Sequence, residues 1–345
     1  MKQTILAGTI ALSLSASVAY AAPAEDLKAF QDYFAKQFKD VPAADFKDGA
    51  YALDAGLKEQ WEAMEEFPPY EGDVDAGKEL WETALKDGKT YADCLGDVKG
   101  VRAKFPHYDA EKDDVITLEG ALEACKKEHD GEGFVNKDGK PQLDKGKIVQ
   151  LAAYIGMEGR GGKIDLPAPE GKAMDWYDMG KNYFYAKRGQ LNMSCADCHV
   201  YNAGKNIRAD LLSPALGHVT HWPVYRSAWG ETRSLHNRFV GCNEQVRAAG
   251  LKPESKEYKA LEYFLTYMNN GQEWNGPGSR AVAHKKPGSA GFFIDGASLQ
   301  NCRYSADRRS RNRAKNHPKN TTITTAATAP LAKICISLLV IWLFM

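Results

Sequence analysis

The chain has 345 residues, of which 43% are apolar and 26% charged. This is ordinary globular composition; it excludes a disordered tail protein, a collagen and a polytopic membrane protein, and the length suggests about two domains. Lys+Arg and Asp+Glu number 45 each, but residues 303–320 alone hold seven basic side chains and one Asp; taking away that +6 with Lys2 and Lys333 leaves residues 22–302 at about −8. Such an acidic body lacks the basic footprint of a nucleic-acid-binding fold, so nucleic acid is not expected as a partner.

Lys2 precedes an apolar run over residues 5–18, and Ala19-Tyr20-Ala21 fits the small-x-small cleavage pattern. Residues 1–21 read as a Sec-type signal peptide cut after Ala21, rather than as a short buried helix, and this predicts a periplasmic protein. Disulfides are permitted there. The seven cysteines are Cys94, Cys125, Cys195, Cys198, Cys242, Cys302 and Cys335.

Further along, the chain repeats itself. Asp75-Ala76-Gly77-Lys78-Glu79-Leu80-Trp81 is echoed by Asp178-Met179-Gly180-Lys181-Asn182-Tyr183-Phe184, and each reads as the start of a helix. Tyr91-Ala92-Asp93-Cys94-Leu95 then aligns with Cys195-Ala196-Asp197-Cys198-His199, and a helical segment ending in Cys125 with one ending in Cys242. Amphipathic helices over 148–155 and 258–268 close the two halves. Pro167-Ala168-Pro169-Glu170-Gly171 reads as the linker, since Pro and Gly stop helices. No segment alternates in the manner of a long strand. The expected fold is mostly α, with two tandem cytochrome c-like domains over 43–166 and 170–280 related by the internal repeat, the first without haem.

Cys195-Ala196-Asp197-Cys198-His199 is the Cys-x-x-Cys-His signature of c-type haem attachment. Two thiols add to the haem vinyl groups and the adjacent His becomes an axial iron ligand. A redox dithiol or a zinc pair is the competing reading; the leader, the directly following His and the lack of a second zinc pair weigh against it. In the first copy Tyr91 stands for the first cysteine and Leu95 for the histidine, so that copy cannot attach haem, and one haem c is expected. Cys94 and Cys125 then read as a disulfide, with two free thiols as the other reading. For the second axial ligand the candidates are Met193, His218, His221, His236, Met268 and Cys242. Cys242 has the strongest claim, because the haem-less copy keeps Cys125 at the matching place. Arg238 shares a helix face with it at i, i+4, and a guanidinium there stabilises a thiolate and can hold an oxyanion. A buried cysteine beside surface arginines is the plainer alternative.

The segments Ser194-Cys195-Ala196-Asp197-Cys198-His199, Gly204-Lys205-Asn206-Ile207-Arg208, Trp222-Pro223-Val224-Tyr225-Arg226 and Arg238-Phe239-Val240-Gly241-Cys242 resemble the SoxA family. These are the catalytic cytochrome subunits of L-cysteine S-thiosulfotransferase in bacterial thiosulfate oxidation. The resemblance spans residues 43–280. It implies two cytochrome c-like domains, and Tyr91, Cys94, Leu95 and Cys125 match members that have lost the first haem and hold a disulfide in its place. It further implies His199 and Cys242 as axial ligands, Cys242 as a persulfide in the active enzyme, and Arg238 as the substrate-contacting arginine. The implied reaction joins thiosulfate to a cysteine of a SoxYZ-like carrier and releases two electrons, with a SoxX-like small cytochrome as partner. Arg208, Arg226 and Arg247 read either as helpers or as solvated surface arginines.

Residues 281–345 depart from that pattern. They include a basic stretch, a Thr/Ala-rich stretch and an apolar run over 334–345, too short for the ~20 residues of a membrane span. An aberrant C-terminus is favoured over a membrane-associated tail, and Cys302 and Cys335 receive no role. The competing functions are a periplasmic electron carrier and a thiosulfate dehydrogenase forming tetrathionate.

Overall fold

A computed structural model describes residues 22–208 and 210–280; the predicted signal peptide 1–21 and the tail 281–345, with Cys302 and Cys335, lie outside them. About half of the described residues are helical, and the strands are only two or three residues long.

Two α-helices, with a 3-10 segment between them, open the described chain. In α1 (Pro23–Gln37) the proline sits in the first turn, where an N–H would lack an intrahelical partner anyway, and Glu25 and Asp26 follow where the helix dipole favours negative charge. A 3-10 segment (Ala43–Leu53) leads into α2 (Ala55–Glu65). Phe30, Phe34 and Phe46 of this N-terminal stretch are buried in one cluster with Tyr177, Phe184 and Phe264, far downstream. Gly217 permits that approach: it has a φ of +85°, and a Cβ there would lie 1.6 Å from the Phe46 carbonyl oxygen.

A second cluster is built from α3 (Glu71–Glu82), α4 (Tyr91–Leu95), α5 (Val98–Val101), the hairpin β1 (His107–Asp109)–β2 (Asp114–Ile116), α6 (Leu118–Asp130) and α7 (Lys147–Glu158). The chain then runs through α8 (Ala173–Tyr185), α9 (Cys195–His199), the short pair β3 (Asn206–Ile207)–β4 (Asp210–Leu211), β5 (Val224–Arg226) and β6 (Glu231–Arg233). It ends in α10 (Leu235–Gln245), α11 (Lys256–Tyr267) and β7 (Gly278–Arg280).

Equivalent pieces recur in both stretches. Helices α3 and α7 touch at Gly77, where a Cβ would meet the Gln150 carbonyl oxygen at 2.0 Å; α8 and α11 touch at Gly180, with the Ala260 oxygen at 2.1 Å. Capping boxes open α4 (Thr90 and Asp93) and α9 (Ser194 and Asp197). Thr117 and Ser234 cap α6 and α10, each directly after a hairpin. The predicted helix starts at 75 and 178 need correction. Those segments lie inside α3 and α8, which begin at Glu71 and Ala173. The physical stops are Pro68-Pro69 for α3 and Gly171, at a φ of +55°, for α8.

Cys94 of α4 and Cys125 of α6 are joined by a disulfide, Cα–Cα 6.0 Å, across a separation of 31 residues. Restricting the unfolded chain over such a loop contributes about 3–4 kcal/mol.

A buried charged cluster lies on the seam between the two stretches. His236 is 3% exposed; its Nδ1 lies 3.1 Å from the Glu254 carboxylate and its Nε2 3.1 Å from that of Glu262. Thr117 donates to Glu254 (2.6 Å) from the other side, and the Arg102 guanidinium sits 3.6 Å from the Trp274 ring centre. Although burial opposes it, the two carboxylates raise His236 to about 10. Burial and the Glu262 and Glu254 charges raise Glu119 to about 7. Both folded values lie above the unfolded ones, so the stability these groups contribute is complete at low pH and is lost as pH rises, through about 7 for Glu119 and from about 6.5 to 10 for His236. The expected result is a melting temperature that falls between pH 6.5 and 10 and falls less steeply in H236Q, read by circular dichroism; equal slopes would overturn the assignment.

Candidate active site

The five residues of α9 present the Cys-x-x-Cys-His motif, and the capping box holds them in place. Ser194 Oγ accepts from the Asp197 N–H (3.1 Å), while the Asp197 carboxylate accepts from the Ser194 N–H (2.7 Å). Cys195 and Cys198 are free thiols. Burial raises Cys195 to about 11 and raises Cys198 as well. A redox dithiol needs the opposite, a depressed pKa, so that competing reading loses ground. His199 is buried and its Nδ1 donates to the Ser213 carbonyl (2.9 Å), leaving Nε2 as the lone-pair nitrogen. Burial lowers its pKa to about 4, so the imidazole is neutral at physiological pH.

All three side chains line one cleft enclosing about 1310 Å³ of space, part of it open solvent. Much of its wall is apolar, built from Phe184, Leu212, Trp222, Val224, Leu261 and Leu265. The donor set and setting fit a c-type haem: two un-ionised thiols and a neutral, oriented imidazole on one short helix, facing an apolar slot.

Cys242 and Arg238, on one face of α10, line the same cleft, and Cys242 is a half-buried free thiol. Of the other candidates for a second ligand, Met193, His218 and His221 line it too. His218 lies against His199, with ring centres 4.2 Å apart and the planes tilted by 35°. Met268 and His236 do not reach the cleft: the Met268 sulfur accepts from Tyr177 Oη (3.7 Å), and His236 belongs to the seam cluster. Arg226 lines the cleft, whereas Arg208 and Arg247 are not among its lining residues. Two further arginines there were not singled out from the sequence. Arg188 lies 3.7 Å from the Cys195 sulfur and over the Tyr183 ring, and Arg280 donates to the Leu211 carbonyl (2.8 Å). Only strand pairing brings Arg280 in, and no local pattern signals that. Burial, then the neighbouring Arg238 and Arg280, pull Arg226 down to about 10.

In the first half the equivalent stretch offers no such donors. Tyr91, 3% exposed, stacks on Trp81, and Cys94 and Cys125 are consumed by the disulfide.

A Cys-x-x-Cys-His helix opening onto an apolar cleft defines a cytochrome c-type protein. The family model for the SoxA/TsdA cytochrome c domain matches residues 76–164, the stretch without the attachment motif. The L-cysteine S-thiosulfotransferase subunit SoxA of Allochromatium vinosum is 49% identical over 265 residues, covering 76% of this chain and 92% of that one. The subunit of the same name from Chlorobaculum tepidum is 46% identical over 255 residues, covering 74% and 87%. The crystal structure of SoxXA from P. pantotrophus matches with a TM-score of 0.57 at 29% identity, covering 66% of this chain and 84% of that chain. The chain belongs to the SoxA family.

Proposed function

We propose that this chain is the catalytic haem subunit of an L-cysteine S-thiosulfotransferase, with Cys242 as the reacting sulfur and Arg238 holding the substrate anion. One observation carries the assignment: Cys242 and Arg238, from one helix face, open into the same cleft as Cys195, Cys198 and His199. The overall reaction bonds the sulfane sulfur of thiosulfate to the sulfur of a carrier cysteine; the thiol proton leaves and two electrons are released. Haem c, which Cys195, Cys198 and His199 would hold, would take those electrons one at a time and pass them to the electron partner. This chain's own groups prepare the rest. The half-buried Cys242 keeps one side open for a sulfur partner, and Arg238, four residues before it, offers a fork matched to a dianion. The carrier is a SoxYZ-like protein and the electron partner a SoxX-like cytochrome. No described helix is long and apolar enough to cross a membrane, and the leader reading of residues 1–21 supports a periplasmic location.

The matched glycine crossings, capping boxes and hairpin-to-helix order support two cytochrome c-like domains, 43–166 and 170–280, descended from one repeat. The Cys94–Cys125 disulfide and Tyr91 support loss of the first haem, so that one remains. Peptide mapping by mass spectrometry of protein matured in a periplasm tests this. The expected result is a single haem on Cys195 and Cys198, a Cys94–Cys125 bridge, and an added sulfur on Cys242 once thiosulfate and carrier have been supplied. Cys242 bridged to another cysteine would overturn it.

Met193 in the same cleft favours a second reading, an electron carrier with methionine on the iron. Ligand-sensitive spectroscopy of the oxidised protein separates thiolate from thioether.

A further inference from the structure

The cleft is over-supplied with positive charge. Arg188, Arg226, Arg238 and Arg280 all line it, against Asp210 as the one lining carboxylate among the described residues. Arg188 is engaged locally, donating to the Ala186 carbonyl (3.1 Å) and covering the Tyr183 ring. The other three face one another's charge inside a partly desolvated space.

Two of them are set side by side by the sheet. Strand β5 pairs antiparallel with β6 and parallel with β7, in a register that puts Arg226 opposite Arg280. Neighbouring strands lie about 4.8 Å apart, and like charges directly opposite each other destabilise a sheet. The protein relieves this only in part: the Arg226 guanidinium lies 5.2 Å from the Trp229 ring centre, and Tyr51 and Asp210 favour the Arg280 charge. Asp210 reaches Arg226 at only 3.9 Å and is itself 43% exposed, while the Arg226 side chain is 14% exposed. The Arg280 guanidinium has only the neutral Leu211 carbonyl among its recorded hydrogen bonds. Paired guanidiniums held in this way, in the cleft that also holds a reacting sulfur, call for an anion with two or more oxygens.

We propose that Arg226 and Arg280 form an oxyanion clamp distinct from Arg238, taking a carboxylate or sulfonate group across both guanidinium forks. The clamp rests on the reading of this cleft as the haem and thiosulfate site. Two sources supply the same chemistry there: the carboxylates of the bound haem, and the sulfonate end of thiosulfate.

The test uses the haem-loaded chain as wild type, R226Q, R280Q and R280K. Thiosulfate binding is measured by titration calorimetry and the haem midpoint potential by spectroelectrochemical titration. If the clamp holds the sulfonate, each Gln variant weakens thiosulfate binding about tenfold or more, whatever the potential does. If it holds the haem carboxylates, thiosulfate affinity stays and the potential shifts downward, because removing a nearby cation favours ferric haem. R280K keeps the charge and recovers part of either effect, which a purely packing role would not give. Gln variants that fold, bind thiosulfate and titrate like wild type would overturn the clamp. A wild-type chain that takes neither haem nor thiosulfate would instead overturn the reading of the cleft itself.

Discussion

Replacing Cys242 with Ala is expected to lower thiosulfate-to-carrier transfer by at least about a thousandfold while leaving haem content intact. The size follows from removing the reacting sulfur itself, for which no neighbour substitutes. The haem should persist because the thiols proposed to anchor it, Cys195 and Cys198, sit on a different helix with its own capping box. Turnover with a SoxX-like cytochrome and a SoxYZ-like carrier, set beside the haem absorbance of the same sample, measures both. Retained turnover in C242A would mean that the chain is a haem-bearing scaffold and that a partner performs the chemistry.

Gly180→Ala is expected to be among the most destabilising single-methyl changes in the molecule. A Cβ at that position would stand 2.1 Å from the Ala260 carbonyl oxygen and 2.7 Å from the Phe264 Cβ. Neither is a flexible side-chain end, so α8 and α11 must move apart. Overpacking of this kind costs about 3 kcal/mol. Alanine's better helix propensity returns about 1 kcal/mol of that. The net loss of about 2 kcal/mol lowers the melting temperature by roughly 4–8 °C in a chain of this size. The damage falls on the core that also walls the haem cleft, since Phe184 and Leu261 belong to both. Haem incorporation should therefore drop along with the melting temperature. An unchanged melting temperature would mean that the two helices do not pack at this glycine.

The physical logic of the molecule is one attachment helix and one sulfur-bearing helix brought to the same apolar space. On the proposed reading, the first half keeps the frame of that arrangement with its chemistry removed. A tyrosine ring and a disulfide take the place of the first thiol and of the pairing across the pocket. The frame is still useful to the second half, because Thr117 and Arg102 come from the first half and close the seam around His236, on the helix that carries Cys242.

The sequence by itself determined what is local. Five consecutive residues on one short helix carry the whole Cys-x-x-Cys-His motif, so both thiols and the imidazole open into one cleft. Arg238 and Cys242 share a face because they are one helical turn apart. The sequence also bears on residues 1–21 and 281–345, where the structure is silent. Only the tertiary structure decided the rest. It separated Met193, His218, His221 and Cys242, which reach the cleft, from Met268 and His236, which do not. It carried α1 and the 3-10 segment back over the core around Phe184 and Phe264, and it set Arg280 beside Arg226. The reason is the same in each case. These relations are made by chain segments distant in sequence, through strand register and side-chain packing, and no periodicity within a segment records which distant segment will cover it.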